Sequence, residues 1–244
     1  MSSIKLKKGI SIFAFMNQML MTGYLAIVPS WFLGLNAIMN FLFAIITLVV
    51  SFYSFKVYRI CGQRQSKLFG SAFLFISISY FVQSFVNLSG LSAQSLAFAD
   101  IMDIHYLDAA GIFVNIAFFM LGLVTLAYMI LKTKDTSFYW LFTVVIITTI
   151  LFSTNSFFMF YLLSSILLFY ICIHYLRNYL NGLQPKTLLV LIAFVFLLFG
   201  KIHFIFVVNH GNYYVIGQFL ELVAYSLILA NLILVVRKNE QKTR

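Results

Sequence analysis

Charge is what this sequence has least of. Only 9% of its residues are Asp, Glu, Lys or Arg, and only six of its 244 residues are acidic. A water-facing surface needs roughly 25% charged residues, so a soluble domain is excluded. Proline is almost as scarce. Pro29 and Pro185 are the two there are, and both stand at the ends of apolar runs, where a helix start tolerates them. The two cysteines, Cys61 and Cys172, make no CxxC and no obvious pair. That excludes a disulfide framework, and both are expected as thiols on a reducing side. Catalytic signatures are missing as well: no HExxH, no GxSxG, no phosphate-cradling glycine loop and no kinase signature. Without a nucleophile–base set, an enzyme is not expected.

What remains is apolar. Hydrophobic residues make up 63% of the chain, in recurring runs long enough to cross a bilayer as helices. A membrane barrel needs alternating apolar and polar residues; these runs are continuous. The expectation is an all-α polytopic membrane protein forming one membrane domain, 1–244. Seven strong segments stand at about 33–55, 68–88, 108–131, 138–155, 158–177, 187–207 and 214–236. They define a seven-helix core over 33–236, preceded by an N-terminal apolar helix at 9–28 and followed by a short tail, 237–244.

The net charge of +10 raises the question of nucleic acid. The basic residues argue against it, because they sit in short clusters between apolar runs. Lys56, Arg59, Arg64 and Lys67 follow the first segment, Lys132 and Lys134 the third, Arg177 and Lys186 the fifth, and Arg237, Lys238, Lys242 and Arg244 the seventh. These are alternate loops, and the other three loops hold no Lys or Arg. The positive-inside rule then places the basic loops and the C-terminus in the cytoplasm, and the protein in a plasma membrane as a multi-pass chain. Lys5, Lys7 and Lys8 precede the stretch Gly9 to Val28. That stretch crosses, lies in the membrane plane around Asn17 and Gln18, or is a cleaved signal. If it crosses, every Lys and Arg except Lys201 falls inside. No convincing internal repeat appears, which weakens a repeat-built transporter.

Small and polar side chains mark the faces where membrane helices meet. They recur at helical spacing as Asn36, Asn40, Thr47, Ser51 and Ser54; as Ser77, Tyr80, Ser84 and Asn87 with Gln83 alongside; as Asp108, Gly111, Asn115, Gly122 and Thr125; and as Gln218, Glu221 and Tyr225. The amides and carboxylates gather toward the outer ends. Most of the hydroxyls and glycines read as interhelical glue.

Two ions break the pattern. Lys201 lies inside the sixth segment and Glu221 inside the seventh, joined through the short "NHGNY" loop. Each stands roughly 10 Å below the outer boundary at 1.5 Å rise per residue. Each alone costs at least roughly 2.5–3.5 kcal/mol in a bilayer, so a pair at common depth is expected. The pair is either a structural clasp between the last two helices or the centre of a binding site. His203 lies two positions from Lys201 and so points elsewhere. Asp100, Asp103, His105, Asp108 and His210 show no recognised metal spacing, and neither a metal nor another cofactor is expected. Asn87-Leu88-Ser89 fits a glycosylation acceptor, close to the membrane. A retinal Schiff base would need its lysine in the last helix, where Glu221 and Tyr225 stand, and the His-x-x-x-His zinc pair of alkaline ceramidase-like hydrolases is missing.

The stretches "NAIMNFLFAIITLVVSFYSFKVYR" with "AFLFISISYFVQS", and "YYVIGQFLELVAYSLILANLILVVRK", resemble a loose group of uncharacterised archaeal-type multi-pass, seven-helix membrane proteins. The resemblance covers the first two core helices and the last, and implies no activity. Members of that group, and some bacterial seven-helix sensor input domains, carry a His about where Gln218 stands; the Gln here counts against a metal or haem on that face.

The expected function is a small-ligand-binding or sensory module with an outward-facing polar pocket lined by Gln83, Asn87, Asp108, Asn115, Lys201, Gln218 and Glu221. Its partners would be the lipid bilayer, a small polar ligand from the outer side and a protein partner for output, with no nucleic acid. The alternatives are a small proton-coupled transporter and a structural or assembly subunit of a membrane complex.

Overall fold

The segment that opens the core begins at Pro29. In the computed structural model its carbonyl accepts the Phe32 N–H at 2.8 Å and closes a single 3-10 turn, Ser30–Phe32, that leads into α1, Leu33–Cys61. Gly62 ends α1 with φ 65°, its N–H bonded to the Tyr58 carbonyl at 2.8 Å. That left-handed position favours glycine, and it turns the chain directly into α2, Arg64–Ser95. The remaining helices are α3, Ile101–Leu131; α4, Thr136–Leu151; α5, Ser156–Gly182; α6, Pro185–Ile205; and α7, Asn212–Thr243. The structure describes residues 29–95, 101–131, 135–153, 155–182, 185–207 and 212–243, with side chains described for all of these except 30, 90–95, 101–109, 185–186 and 237–243. The expected N-terminal helix at 9–28 lies outside the described residues.

Six of these helices, all but α4, are long and apolar enough to cross a membrane. The chain is an all-α, multi-pass membrane protein. The fourth expected segment, 138–155, is the shorter helix α4 of 16 residues. Asp135 caps its start by accepting the Ser137 N–H at 2.9 Å, and Asn155 Oδ1 accepts the Phe158 N–H at 3.0 Å to start α5. Ser153 and Asn155 thus stand between the end of α4 and the start of α5, with the Asn155 N–H donating to Ser153 Oγ at 3.2 Å. At about 1.5 Å per residue, α4 rises about 24 Å, short of a roughly 30 Å hydrocarbon layer. The expected loop from Ser89 to Leu107 also shrinks. Helix α2 runs on to Ser95 and α3 starts at Ile101, whereas the expected apolar segments end at about 88 and begin at about 108. Hydropathy marked the membrane-like part of each helix, and the helices themselves continue past it.

Neighbour contacts arrange the helices as a closed ring in the order α1, α2, α3, α5, α6, α7 and back to α1, with α4 outside against α3 and α5. Two adjacent pairs run parallel. Asn36 near the start of α1 meets Tyr214 and Gln218 near the start of α7, and further along Phe43 meets Tyr225. Likewise Phe119 meets Phe160, and further along both helices Ser164 donates to Met120 Sδ at 3.4 Å, between α3 and α5. Helix α4 has to carry the chain back between two parallel helices, which is why it stands outside the ring.

The polar side chains of the helices turn inward, among buried apolar ones, and the outward faces are apolar. On α1, Asn36, Asn40, Thr47, Ser51 and Ser54 are buried beside Ala37, Phe43, Ala44, Val50 and Val57, while Ile38, Phe41, Ile45, Leu48 and Phe52 are exposed. Lipid competes equally for apolar faces, so small groups and hydrogen bonds decide the contacts. Ser51 donates to the Gly70 carbonyl at 2.8 Å, Ser77 to Ala44 at 2.8 Å and Ser84 to Ala37 at 3.1 Å, stitching α1 to α2 along much of their length. A Cβ on Gly122 would stand 2.9 Å from the Ala72 carbonyl oxygen, so that glycine is what brings α3 against α2. The described basic side chains Lys56, Arg59, Arg64, Lys67 and Arg177 share one end of the ring, at the ends of α1 and α5 and the start of α2. Lys201 lies at the other end, on the final turns of α6.

Candidate functional site

The expected pair forms. Lys201 Nζ lies 2.6 Å from Glu221 Oε1, and the two side chains are 5% and 1% exposed. Two glycines permit it. A Cβ on Gly200 would sit 3.2 Å from both the Gly217 carbonyl oxygen and Glu221 Cγ; one on Gly217 would sit 2.6 Å from the Phe204 ring. With only hydrogens at these positions, α6 and α7 close until the lysine reaches the carboxylate. The contact is an ion pair without hydrogen-bond alignment, for Oε1 has no aligned donor.

The rest of the lysine's surroundings are aromatic. Nζ stands 4.1 Å from the centroid of Phe119 and 5.3 Å from that of Phe204, with Phe160 at 5.8 Å and Tyr161 at 5.9 Å. A cation within about 6 Å of a ring face is attracted to it, so these rings replace part of the water the ammonium has lost. The carboxylate is held by a hydroxyl. Tyr80 donates to Glu221 Oε2 at 2.7 Å, and its oxygen lies 3.0 Å from that of Tyr225. Tyr80 has one proton and spends it on the carboxylate, so Tyr225 is the donor to Tyr80. This gives a continuous chain Lys201, Glu221, Tyr80, Tyr225 across α6, α7 and α2.

Closer to the starts of α1 and α7, amides take over. Asn36 Oδ1 accepts from Asn40 Nδ2 at 3.0 Å, from the Tyr214 hydroxyl at 2.9 Å and from Gln218 Nε2 at 3.4 Å. Gln218 Nε2 also reaches the Tyr214 oxygen at 3.1 Å, which fixes the amide orientation and leaves Gln218 Oε1 buried without a partner. On the α2–α3 side Asn115 donates to Gln83 Oε1 and accepts from Ser79, and Gln83 donates to Asn87 Oδ1 at 3.2 Å.

A cavity of about 40 Å³ lies between these groups. It is lined by Asn40 of α1, Tyr80 and Gln83 of α2, Asn115 and Phe119 of α3, Phe157, Phe160 and Tyr161 of α5, Lys201 and Phe204 of α6, and Tyr214, Gln218 and Glu221 of α7. Every helix of the ring contributes. Of the residues expected at a pocket, Gln83, Asn115, Lys201, Gln218 and Glu221 come together here. Asn87 stands behind Gln83 and is not part of the lining. The side chain of Asp108 lies outside the described residues, as do those of Asp100, Asp103, His105 and His210. His203 turns away, its Nδ1 2.7 Å from the Phe199 carbonyl oxygen. Sequence reasoning missed the aromatic wall, Tyr214, and the role of Tyr80. With 29 Phe and 14 Tyr in the chain, no single ring is a signal.

No family model matches this chain, and no curated protein or solved structure matches it.

Proposed function

We propose that this multi-pass protein binds a small polar solute in the cavity around Lys201 and Glu221. The cavity would open toward the outside of a plasma membrane, with the C-terminus cytoplasmic, and a sensory output would pass through a protein partner. The observation that carries this reading is the convergence of all six ring helices on one cavity that holds the ion pair. A clasp between α6 and α7 requires only those two helices. Size bounds the ligand. One water needs roughly 10–15 Å³ of such space, so about 40 Å³ takes three or so water-sized groups. The site suits a compact polar molecule and excludes a drug-sized one. The test is binding to protein in lipid nanodiscs, read by ligand-observed NMR over a panel of small polar molecules. Saturable binding lost in Lys201→Met supports the reading; a panel that binds nowhere, or equally to the variant, sinks it.

A proton-coupled carrier is the second reading, favoured by the hydrogen-bonded run from Glu221 through Tyr80 to Tyr225. In reconstituted vesicles, solute uptake by the wild type would depend on pH and uptake by Glu221→Gln would not. No uptake by either would remove it.

A further inference from the structure

We infer that the ligand of this cavity carries no net charge and presents a hydrogen-bond acceptor beside an N–H or O–H donor, as a primary amide or a small amino acid does. This rests on the binding role proposed above. Three observations define the class.

First, the ion pair already balances the site, since Lys201 and Glu221 are the charged groups lining the cavity among the described residues. A net charge brought in from water would lose its solvation and find no counter-ion, a cost that a neutral or zwitterionic molecule avoids. Second, the ammonium has donors to spare. It has three N–H bonds. Its described partners are Glu221 Oε1 and the faces of Phe119, Phe160, Tyr161 and Phe204. Among the described residues no oxygen other than that of Glu221 is paired with it. The site therefore offers N–H groups to an incoming acceptor. Third, Gln218 lines the same cavity at 3% exposure, and its Oε1 has no donor. Its orientation is fixed, because Nε2 is engaged by Asn36 and Tyr214. A buried carbonyl in that state asks for an N–H or O–H. Lysine donors and an unpaired glutamine acceptor, on two side chains that line one small space, match a molecule with both ends and little between them.

The test uses the protein in nanodiscs and saturation-transfer NMR with four small probes of two to five non-hydrogen atoms: acetamide, N,N-dimethylformamide, acetate and methylammonium. Acetamide has acceptor and donor; dimethylformamide keeps the acceptor and lacks the donor; the other two carry net charge. Glycine is added as the zwitterionic arm. So few atoms bind weakly, with dissociation constants of roughly 0.1–10 mM. Acetamide or glycine should bind, and dimethylformamide, acetate and methylammonium should bind at least about fivefold more weakly, the worth of one hydrogen bond. Gln218→Leu should lower acetamide affinity by roughly the same factor and leave dimethylformamide unchanged. If Gln218→Leu fails to fold, the comparison of acetamide with dimethylformamide on the wild type still decides. Equal binding of the two, or tighter binding of acetate or methylammonium, overturns this assignment. If that binding is lost in Lys201→Met, the cavity remains a solute site with a different ligand class. If no probe binds, this assignment and the binding role fall together.

Discussion

Lys201 and Glu221 meet 2.6 Å apart across the α6–α7 contact, both almost fully buried, and each is the only oppositely charged partner of the other among the described residues. Removing one member of such a pair leaves an uncompensated ion and typically costs about 3–5 kcal/mol, whereas replacing both by apolar groups is often neutral. Lys201→Met and Glu221→Leu should each lower stability by about that amount. The double variant should lose clearly less than the sum. Unfolding in mixed micelles measures all three. Additive losses would mean that the two ions do not interact.

The hydroxyls around the carboxylate are unequal, and the inequality is testable. Tyr80 gives its proton to Glu221, and Tyr225 gives its own to Tyr80. Tyr80→Phe removes a bond to an ion and should cost about 1.5–3 kcal/mol; Tyr225→Phe removes a bond between neutral groups and should cost about 0.5–1.5 kcal/mol. The same unfolding assay ranks them. The reverse order would mean that Tyr225 is the direct partner of the carboxylate.

These groups also show what the sequence could and could not disclose. The pair was legible because an ion inside an apolar run is expensive wherever it occurs, and helical rise alone put both at one depth. The amides of Asn36, Asn40, Gln83 and Gln218 were legible as stripes for the same reason. Tyr80 was not legible as the carboxylate's partner, since that depends on how α2 and α7 each pack against α1, where Ser77 and Ser84 donate to the Ala44 and Ala37 carbonyls and Asn36 receives Tyr214 and Gln218. The wall of Phe119, Phe160 and Phe204 was invisible because rings on lipid-facing and cavity-facing sides look alike in a chain so rich in them. The ring order, with α4 outside, followed from neither periodicity nor charge. It comes from which helices can approach closely, and that is a property of pairs.

Glycine positions separate close approach from mere occupancy. A methyl on Gly122 would press on Ile76 Cγ1 at 2.5 Å and on the Ala72 carbonyl oxygen at 2.9 Å, and the backbone atom cannot rotate away. Gly34 has nothing within 4 Å of the same added atom. Gly122→Ala should destabilise by about 1–3 kcal/mol, the usual cost of overpacking. Gly34→Ala should be neutral or slightly stabilising, because alanine is the better helix former. Gly217→Ala should also shift the ring of Phe204, and with it the wall beside Lys201. Its signature is a loss of solute binding larger than its loss of stability. Thermal unfolding beside the binding titration resolves the two effects; parallel losses would make Gly217 a packing residue alone.

The direction of the cavity turns on which side of the membrane holds the basic end of the ring. Cys61 is exposed at the last residue of α1, between Arg59 and Arg64, and Cys172 is buried in α5. A thiol reagent that cannot cross membranes therefore has one accessible target among the two. If the basic loops face the cytoplasm, intact cells should leave Cys61 unlabelled and permeabilised cells should label it, with Cys172→Ser behaving identically and Cys61→Ser silent throughout. Lys201 and Glu221 lie toward the opposite end, so the same result would open the cavity to the outside. Labelling of Cys61 in intact cells would invert the whole arrangement. The solute would then be drawn from the cytoplasm, and the charge rule that orients most multi-pass proteins would have failed on a chain whose described cations almost all share one end.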